Sequence, residues 1–236
     1  MSVLPSFPTG HPNHLLAKLS LDLHGVIIPH CAVVSMKQGA VLYEAGDEVE
    51  HVYFPHNGMV SLLSVMQSGK AIETATVGRE GVVGAMAGLG LYQSMVRTIV
   101  QLPLHASKIP AAPFRRAVGA SNALRDVCVR YNEVMLTQAR VTAACNALHQ
   151  VDERFARWLL QSADRAAGDP LTLTQELLAE MLGVRRTSVT EVARRMQEKG
   201  VITYARGVIK ISDRTALERL SCECYATLVE QEATLT

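Results

Sequence analysis

An α+β fold is predicted for this chain, with strands in the first half, one long helix in the middle and a winged helix-turn-helix near the C-terminus. Three observations predict it. Between Cys31 and Pro110 the residues fall into short β-prone runs broken by Gly, Asp or Asn. From Asn122, apolar residues recur at helical spacing for about seven turns, with no glycine or proline to interrupt them. Beyond Leu173, two short amphipathic segments flank Gly183, and two β-prone runs follow.

Composition bounds what such a chain does. With 236 residues, 48% of them hydrophobic, it can bury a substantial core. No uninterrupted apolar run reaches the length of a membrane span, and the N-terminus lacks the charged start and apolar centre of a signal peptide. A cytoplasmic protein without a membrane partner is expected. The five cysteines are an odd number with no disulfide-framework spacing, so reduced thiols are expected.

Residues 1–14 carry three prolines and read as a loose arm. A sensor-like unit is expected over residues 15–119. It opens with a helix from Leu15 to Val26 that places Leu15, Leu16, Leu19 and Leu23 on one side. Strands are expected at Val33–Met36, Ala40–Glu44, His51–Pro55, Gly58–Val65 and Ala71–Val77, and such regular short strands argue for an antiparallel sandwich or barrel. A short helix or turn is expected over Pro113–Val118.

The long helix is placed at residues 120–149. Leu124, Val127, Tyr131, Val134, Met135 and Gln138 form an a/d-like stripe that reads as a dimer seam. A helix buried within its own chain is the alternative. A seam would relate two heads by a two-fold axis and favour a palindromic operator. Asn146, His149, Asp152 and Arg154 read as polar packing at a hinge.

The head is placed at residues 150–225, with residues 226–236 as a tail. Arg157–Leu160 is read as the start of a supporting helix, in which Trp158 belongs to the core, and Gly168, Asp169 and Pro170 as its end. Leu177, Leu178, Met181 and Leu182, then Val189, Val192, Ala193 and Met196, each make one helical face. Thr174 suits an N-cap, Glu176 adds negative charge at the helix start, and Gly183 suits the turn because it tolerates positive φ. Val201–Tyr204 and Val208–Ile211, joined through Ala205, Arg206 and Gly207, read as a hairpin wing. Ser212 or Asp213 would cap a last helix carrying Ala216, Leu217 and Leu220.

The outward face of the second helix suits a DNA major groove. Arg186, Thr187, Thr190 and Glu191 carry groups that can read base edges, and Gln175, Arg185, Ser188 and the wing residue Arg206 can hold phosphates. Between Arg185 and Arg214 eight Lys or Arg stand against three Asp or Glu, a local +5 in a chain of net +1. Positive charge is thus concentrated where phosphates would be met. An ordinary helical hairpin with a solvated charged face is the plainer alternative.

The segments Leu173–Leu177, Gly183–Val189 and Lys199–Ile202 resemble the reading head of the bacterial Crp/Fnr transcription regulators. Gly39, Tyr43–Asp47, Val52–Phe54 and Gly58–Ser61 likewise resemble the β-roll of cyclic-nucleotide-binding domains, with Gly46 and Gly58 as its turn residues. The resemblance runs from about Leu15 to Leu220. It implies a jelly-roll-like antiparallel β-roll, a dimerisation helix and a winged helix-turn-helix, in that order. It also implies DNA, a second copy of the chain and RNA polymerase as partners.

The sequence departs from that family in its pocket. Nucleotide-binding members carry a glutamate for the ribose and an arginine for the cyclic phosphate, where this chain aligns Ala85 and Ser94. Neither can replace those groups, and a phosphate buried without a cation is costly, so cyclic AMP is not expected to bind. Glu80 and Arg97 could substitute from neighbouring positions, but a turn pair of Arg79 with Glu80 and a solvated Arg97 are favoured. Gly84, Ala85, Met86 and Ser94 can still wall a cavity for a small-molecule effector of unknown identity.

No cofactor and no metal site are expected. An iron–sulfur cluster would need several N-terminal cysteines where only Cys31 stands. His24, His30, Cys31, His51, His56 and His105 show no paired ligand spacing, and Cys222-Glu223-Cys224 offers at most a thiol switch or half a metal site. With no triad or phosphate loop, an enzyme is not expected. A sensor acting on a protein partner, with a vestigial head, is the competing function.

Overall fold

A computed structural model describes residues 10–166, 168 and 170–233, with backbone alone at residues 21, 22 and 24. The sequence readings of residues 1–9, Asp169, residues 234–236 and the His24 side chain lie outside the described residues. The first half is an antiparallel sheet of β1 (Ala32–Met36), β2 (Val41–Tyr43), β3 (His51–Val65), β4 (Ala71–Val77) and β5 (Arg97–Pro110). Its order is β1-β5-β3-β4, with β2 also paired to β5. Bridges from Tyr53 to Val83 and from Glu48 to Gln93 draw the intervening loops onto it.

Two long strands organise this sheet. The expected strands His51–Pro55 and Gly58–Val65 are one strand, β3, and β5 beside it runs for 14 residues. Register shifts between Pro55 and Val60 absorb the extra residues as bulges, which bend a long strand without ending it. Gly58 is therefore a bulge residue, not a turn residue. Its φ is +80°, and a Cβ there would lie 2.2 Å from the Pro103 carbonyl oxygen, so glycine is required twice over. Gly46, at φ +98°, sits in the turn expected of it.

The N-terminal segment before the sheet corrects two expectations. Helix α1 covers only His14–Ala17 and α2 covers Leu21–Ile27, in place of one continuous helix. Asn13 was expected in the loose arm but is fully buried. It caps α1 through Leu16 N and donates to the carbonyls of Pro55 and Gly81. With those bonds made, residues 10–13 are part of the sheet's cover.

After α3 (Ala111–Ala120), the long helix α4 spans Asn122–Leu148, about 40 Å at 1.5 Å per residue. Ser121 caps it by accepting from Leu124 N. The expected dimer stripe is largely spent inside this chain. Leu124 and Tyr131 belong to the first core with Val60, Val100 and Phe114, Val127 and Met135 pack against it, and Gln138 accepts from Thr76 N at 2.6 Å. An apolar stripe records that a face is buried but not by whom, and here the sheet covers it. The face left outward carries Val129, Leu136 and Ala143, spaced by seven.

His149 and Gln150 are extended and separate α4 from α5 (Val151–Arg165). The supporting helix thus begins six residues before Arg157, fixed by a capping box between Gln150 and Glu153. The head continues with β6 (Leu171–Thr172), α6 (Gln175–Leu182), α7 (Arg186–Glu198), β7 (Ile202–Ala205) and β8 (Val208–Ile211). Helix α8 (Arg214–Leu220) is capped by Asp213, and α9 (Cys224–Ala233) turns most of the expected tail into helix, with Leu228 buried.

A second core joins the two halves. Phe155, Trp158, Leu159, Leu160, Leu178, Leu182 and Val192 pack with Met59 and Leu63 of β3 and Leu102 of β5. Successive strand side chains point to opposite faces, so β3 serves the roll interior through Val60 and Leu62 and the head through Met59 and Leu63. That double duty explains why the apolar residues come as adjacent pairs, Met59-Val60 and Leu62-Leu63, and do not strictly alternate.

Candidate nucleic-acid interface and effector cavity

The helix-turn-helix forms where the sequence predicts it. Thr174 Oγ1 accepts from Leu177 N at 3.2 Å, and Gly183 ends α6 in the left-handed region at φ +63°. A side chain at Gly183 would also meet Ile72 of β4, its Cβ 2.7 Å from Ile72 Cδ1. Val184 is half-buried against the second core, filling the angle between the helices. Helix α7 buries Val189, Val192, Ala193 and Met196, which turns Arg186, Thr187, Thr190, Glu191 and Arg194 outward.

The wing is a two-residue hairpin. Arg206 (φ +51°) and Gly207 (φ +75°) both take positive φ, the requirement of a type I′ turn. Among the described residues Arg206 is the one non-glycine in that region, which costs an L residue about 1–2 kcal/mol. The turn lifts Arg206 to one side of a cleft whose other side is Gln175, Glu176 and Arg186.

The cationic surface is partly compensated. Arg186 pairs with Glu176 at 3.0 Å, Arg195 with Asp152 at 2.6 Å, Arg214 with Asp164 at 2.7 Å, and Arg194 with Glu198. Arg185, Lys199, Arg206 and Lys210 have no ion pair among the described residues and are exposed. Ser188 is half-buried in the first turn of α7. Gln175 braces the two helices, its Oε1 accepting from Thr190 Oγ1 at 2.9 Å and Arg186 Nε at 3.3 Å.

Within the roll, a cavity of about 270 Å³ is walled by Gly84, Ala85, Met86 and Ser94, all four expected there, and closed by Tyr131 and Met135 of α4. Its lining is apolar apart from amide, hydroxyl and phenol groups, and no charged residue among the described residues reaches it. The two residues that could have replaced the family's pocket groups are engaged elsewhere. Arg97 pairs with Glu44 at 2.7 Å, and Glu80 pairs with Arg165 of α5 at 2.9 Å. Glu80 is thus not a turn partner for Arg79 but half of a link to the head.

Sequence reasoning missed the polar residues that join roll to head, because each partner is distant in the chain. Arg165 is buried between Glu80 and Glu232, and burial of Glu232 pushes its carboxyl up to about 7 despite that arginine. Glu73 of β4 is fully buried, accepting from Ser61 Oγ at 2.5 Å and Trp158 Nε1 at 2.8 Å. Desolvation raises it to about 7, and the two hydrogen bonds with the charges of Arg157 and Arg165 offset only part of that penalty.

Three of the residues named as ligand candidates hold hydrogen bonds. His56 and His105 share hydrogen bonds with Ser107 and Ser35, and Cys31 Sγ reaches the Ile27 carbonyl. At the hinge, Asp152 holds Arg195 and Arg154 donates to the Leu182 carbonyl. His149 and Cys145 meet Cys222 and Cys224 there.

Two domain models match the chain. Residues 33–121 match the cyclic nucleotide-binding domain and residues 153–220 the Crp-like helix-turn-helix domain. A global nitrogen regulator of Nostoc sp. is 23% identical over 197 residues, covering 79% of this chain and 88% of that protein. The fold is similar to a putative transcriptional regulator of the Crp/Fnr family from Eubacterium rectale, with TM-score 0.68 and 18% identity over 89% of this chain and 98% of that one. It is also similar to FixK2 from Bradyrhizobium japonicum, with TM-score 0.67 and 16% identity over 81% and 98% of the two chains. Among the described residues no helix is long and apolar enough to cross a membrane.

Proposed function

Because this chain belongs to the Crp/Fnr family of transcription regulators, we propose that it binds a palindromic operator as a homodimer and reads it from the first turns of α7. The observation that carries this reading is the outward set Arg186, Thr187, Thr190 and Glu191, held in place by a buried opposite face. Arg186 offers a guanine two donors, and Glu191 can accept from cytosine. Thr190 has its hydroxyl engaged by Gln175 and the Arg186 carbonyl, so its methyl group is left to meet a thymine. The exposed Arg186–Glu176 pair is worth about 0–1 kcal/mol, less than the roughly 1–3 kcal/mol of a bidentate base contact.

Phosphates fall to Arg185, Ser188, Gln175 and Arg206. Ser188 lies in the first turn of α7, where backbone N–H groups point at an anion, and Arg206 flanks the cleft from the wing. The dimer seam is placed on the outward stripe of α4, Val129, Leu136 and Ala143, since the inward stripe is occupied. The family reading makes the protein cytoplasmic, with RNA polymerase as a further partner. Its signal enters through the roll cavity, whose uncharged wall suits a neutral effector and not a cyclic phosphate.

Selection of bound sequences from random DNA, followed by mobility shifts, tests the assignments. Arg186→Ala should cost about 1–3 kcal/mol on the selected site and relax discrimination at one base pair. Arg185→Ala should weaken all sequences alike and reduce the salt slope by about one. The reverse pattern would overturn the division between base and phosphate contacts.

A further inference from the structure

The hinge between α4 and the head gathers four side chains that no DNA contact uses. Cys145 lies in the last turn of α4 and His149 four residues on, while Cys222 and Cys224 flank the start of α9. Their ligand atoms all lie within 4.8 Å of one another. Cys145 Sγ is 3.6 Å from Cys222 Sγ, and Cys224 Sγ is 3.6 Å from His149 Nδ1. The three thiols are buried and the imidazole edge is partly open to solvent.

These distances have the dimensions of a tetrahedron around one ion. With Zn–S near 2.3 Å and Zn–N near 2.0–2.1 Å, tetrahedral edges come to about 3.8 Å between sulfurs and about 3.6 Å between sulfur and nitrogen. A cluster that spreads its ligands over two or more irons would set them farther apart. We propose that Cys145, His149, Cys222 and Cys224 form a Cys3His site for a single zinc ion.

The surroundings are those a zinc site needs. His149 Nε2 lies 3.2 Å from the Glu223 carboxylate, the outer partner that fixes a ligating imidazole with its other nitrogen on the metal. Three thiolates and a dication leave one negative charge. Arg154 and Arg157, both buried on α5 and neither within ion-pairing distance of a carboxylate among the described residues, stand where they balance it. Zinc bound here ties the end of α4 to the α8–α9 segment across the extended residues His149 and Gln150. This inference is independent of which bases α7 reads.

The test is the zinc content of the full chain purified under reducing conditions, with cobalt titration of the metal-stripped protein. One zinc per chain is expected, and Co²⁺ should give the ligand-field and thiolate charge-transfer bands of a tetrahedral thiolate site. Cys222→Ser and Cys224→Ser should lower zinc content at least tenfold, and Cys31→Ser, away from the cluster, should leave it unchanged. Should the serine variants fold poorly by circular dichroism, Glu223→Gln serves instead and should weaken zinc affinity 10–100-fold. The proposal is overturned by a wild-type protein without cobalt bands, by zinc content indifferent to Cys222 and Cys224, or by a metal-free Cys145–Cys222 disulfide in the reduced preparation.

Discussion

Replacing the buried Glu73 by glutamine should stabilise this protein at neutral and alkaline pH. The carboxyl is raised from an ordinary 4.5 to about 7 in the folded chain. Between those values the unfolded chain releases the proton while the folded chain keeps it, so stability falls as pH rises. Each pH step of one across that window removes about 1.4 kcal/mol, so the loss is on the order of 3 kcal/mol by pH 8. Glutamine is isosteric and can still accept from Trp158 Nε1, while its amide can donate to Ser61 Oγ. Urea unfolding of both proteins from pH 4.5 to 8 should show similar stability at the acid end and a growing advantage for Glu73→Gln above it. Glu232 titrates in the same window, but its share is common to both proteins and cancels in the difference. Parallel pH profiles, or a glutamine variant less stable at pH 8, would refute the argument that this carboxylate is a net burden when charged.

Four further outcomes follow from the geometry. Gly58→Ala should cost at least about 2 kcal/mol, because it meets both positive φ and the Pro103 carbonyl. Gly39→Ala, at φ +83° with nothing within 4 Å, should cost about 1 kcal/mol, and equal losses in thermal unfolding would remove the close-approach argument. Leu136→Glu, on the outward face of α4, should yield monomers in sedimentation and weaken operator binding, whereas a dimer that persists places the seam elsewhere. Millimolar cyclic AMP should leave the melting temperature unchanged within a degree, and a rise of several degrees would mean that the uncharged cavity accepts a phosphate after all.

Much of the head was legible because its signals are local. Thr174 as a cap, Gly183 as a left-handed turn and the apolar faces of α6 and α7 each need only a few neighbouring residues. The strand at Ala71–Val77 was legible for the same reason, and so was the wall of the cavity. The long strands were not. Gly58 carries the mark of a break, yet the ladder continues through it, and Pro103 within β5 disguises a 14-residue strand. The stripe on α4 packs against its own sheet, and periodicity alone does not distinguish a neighbouring sheet from a second chain. Arg165, Trp158 and Glu73 could not be paired from sequence at all, because only the docked head brings them together. The four hinge residues are split between C-x3-H and C-x-C segments more than seventy residues apart, so the sequence offers the C-x-C pair only as half a site and gives no sign that Cys145 and His149 complete it.

The two faces of β3 have a bearing on how a signal could travel. Leu62 lines the cavity, and the next residue, Leu63, is packed among the side chains that hold up α5. The sensor and the DNA-binding module therefore share a party wall a single peptide thick. Whatever displaces Leu62 tugs on the residue the head rests against, a route far shorter than the 40 Å lever of α4.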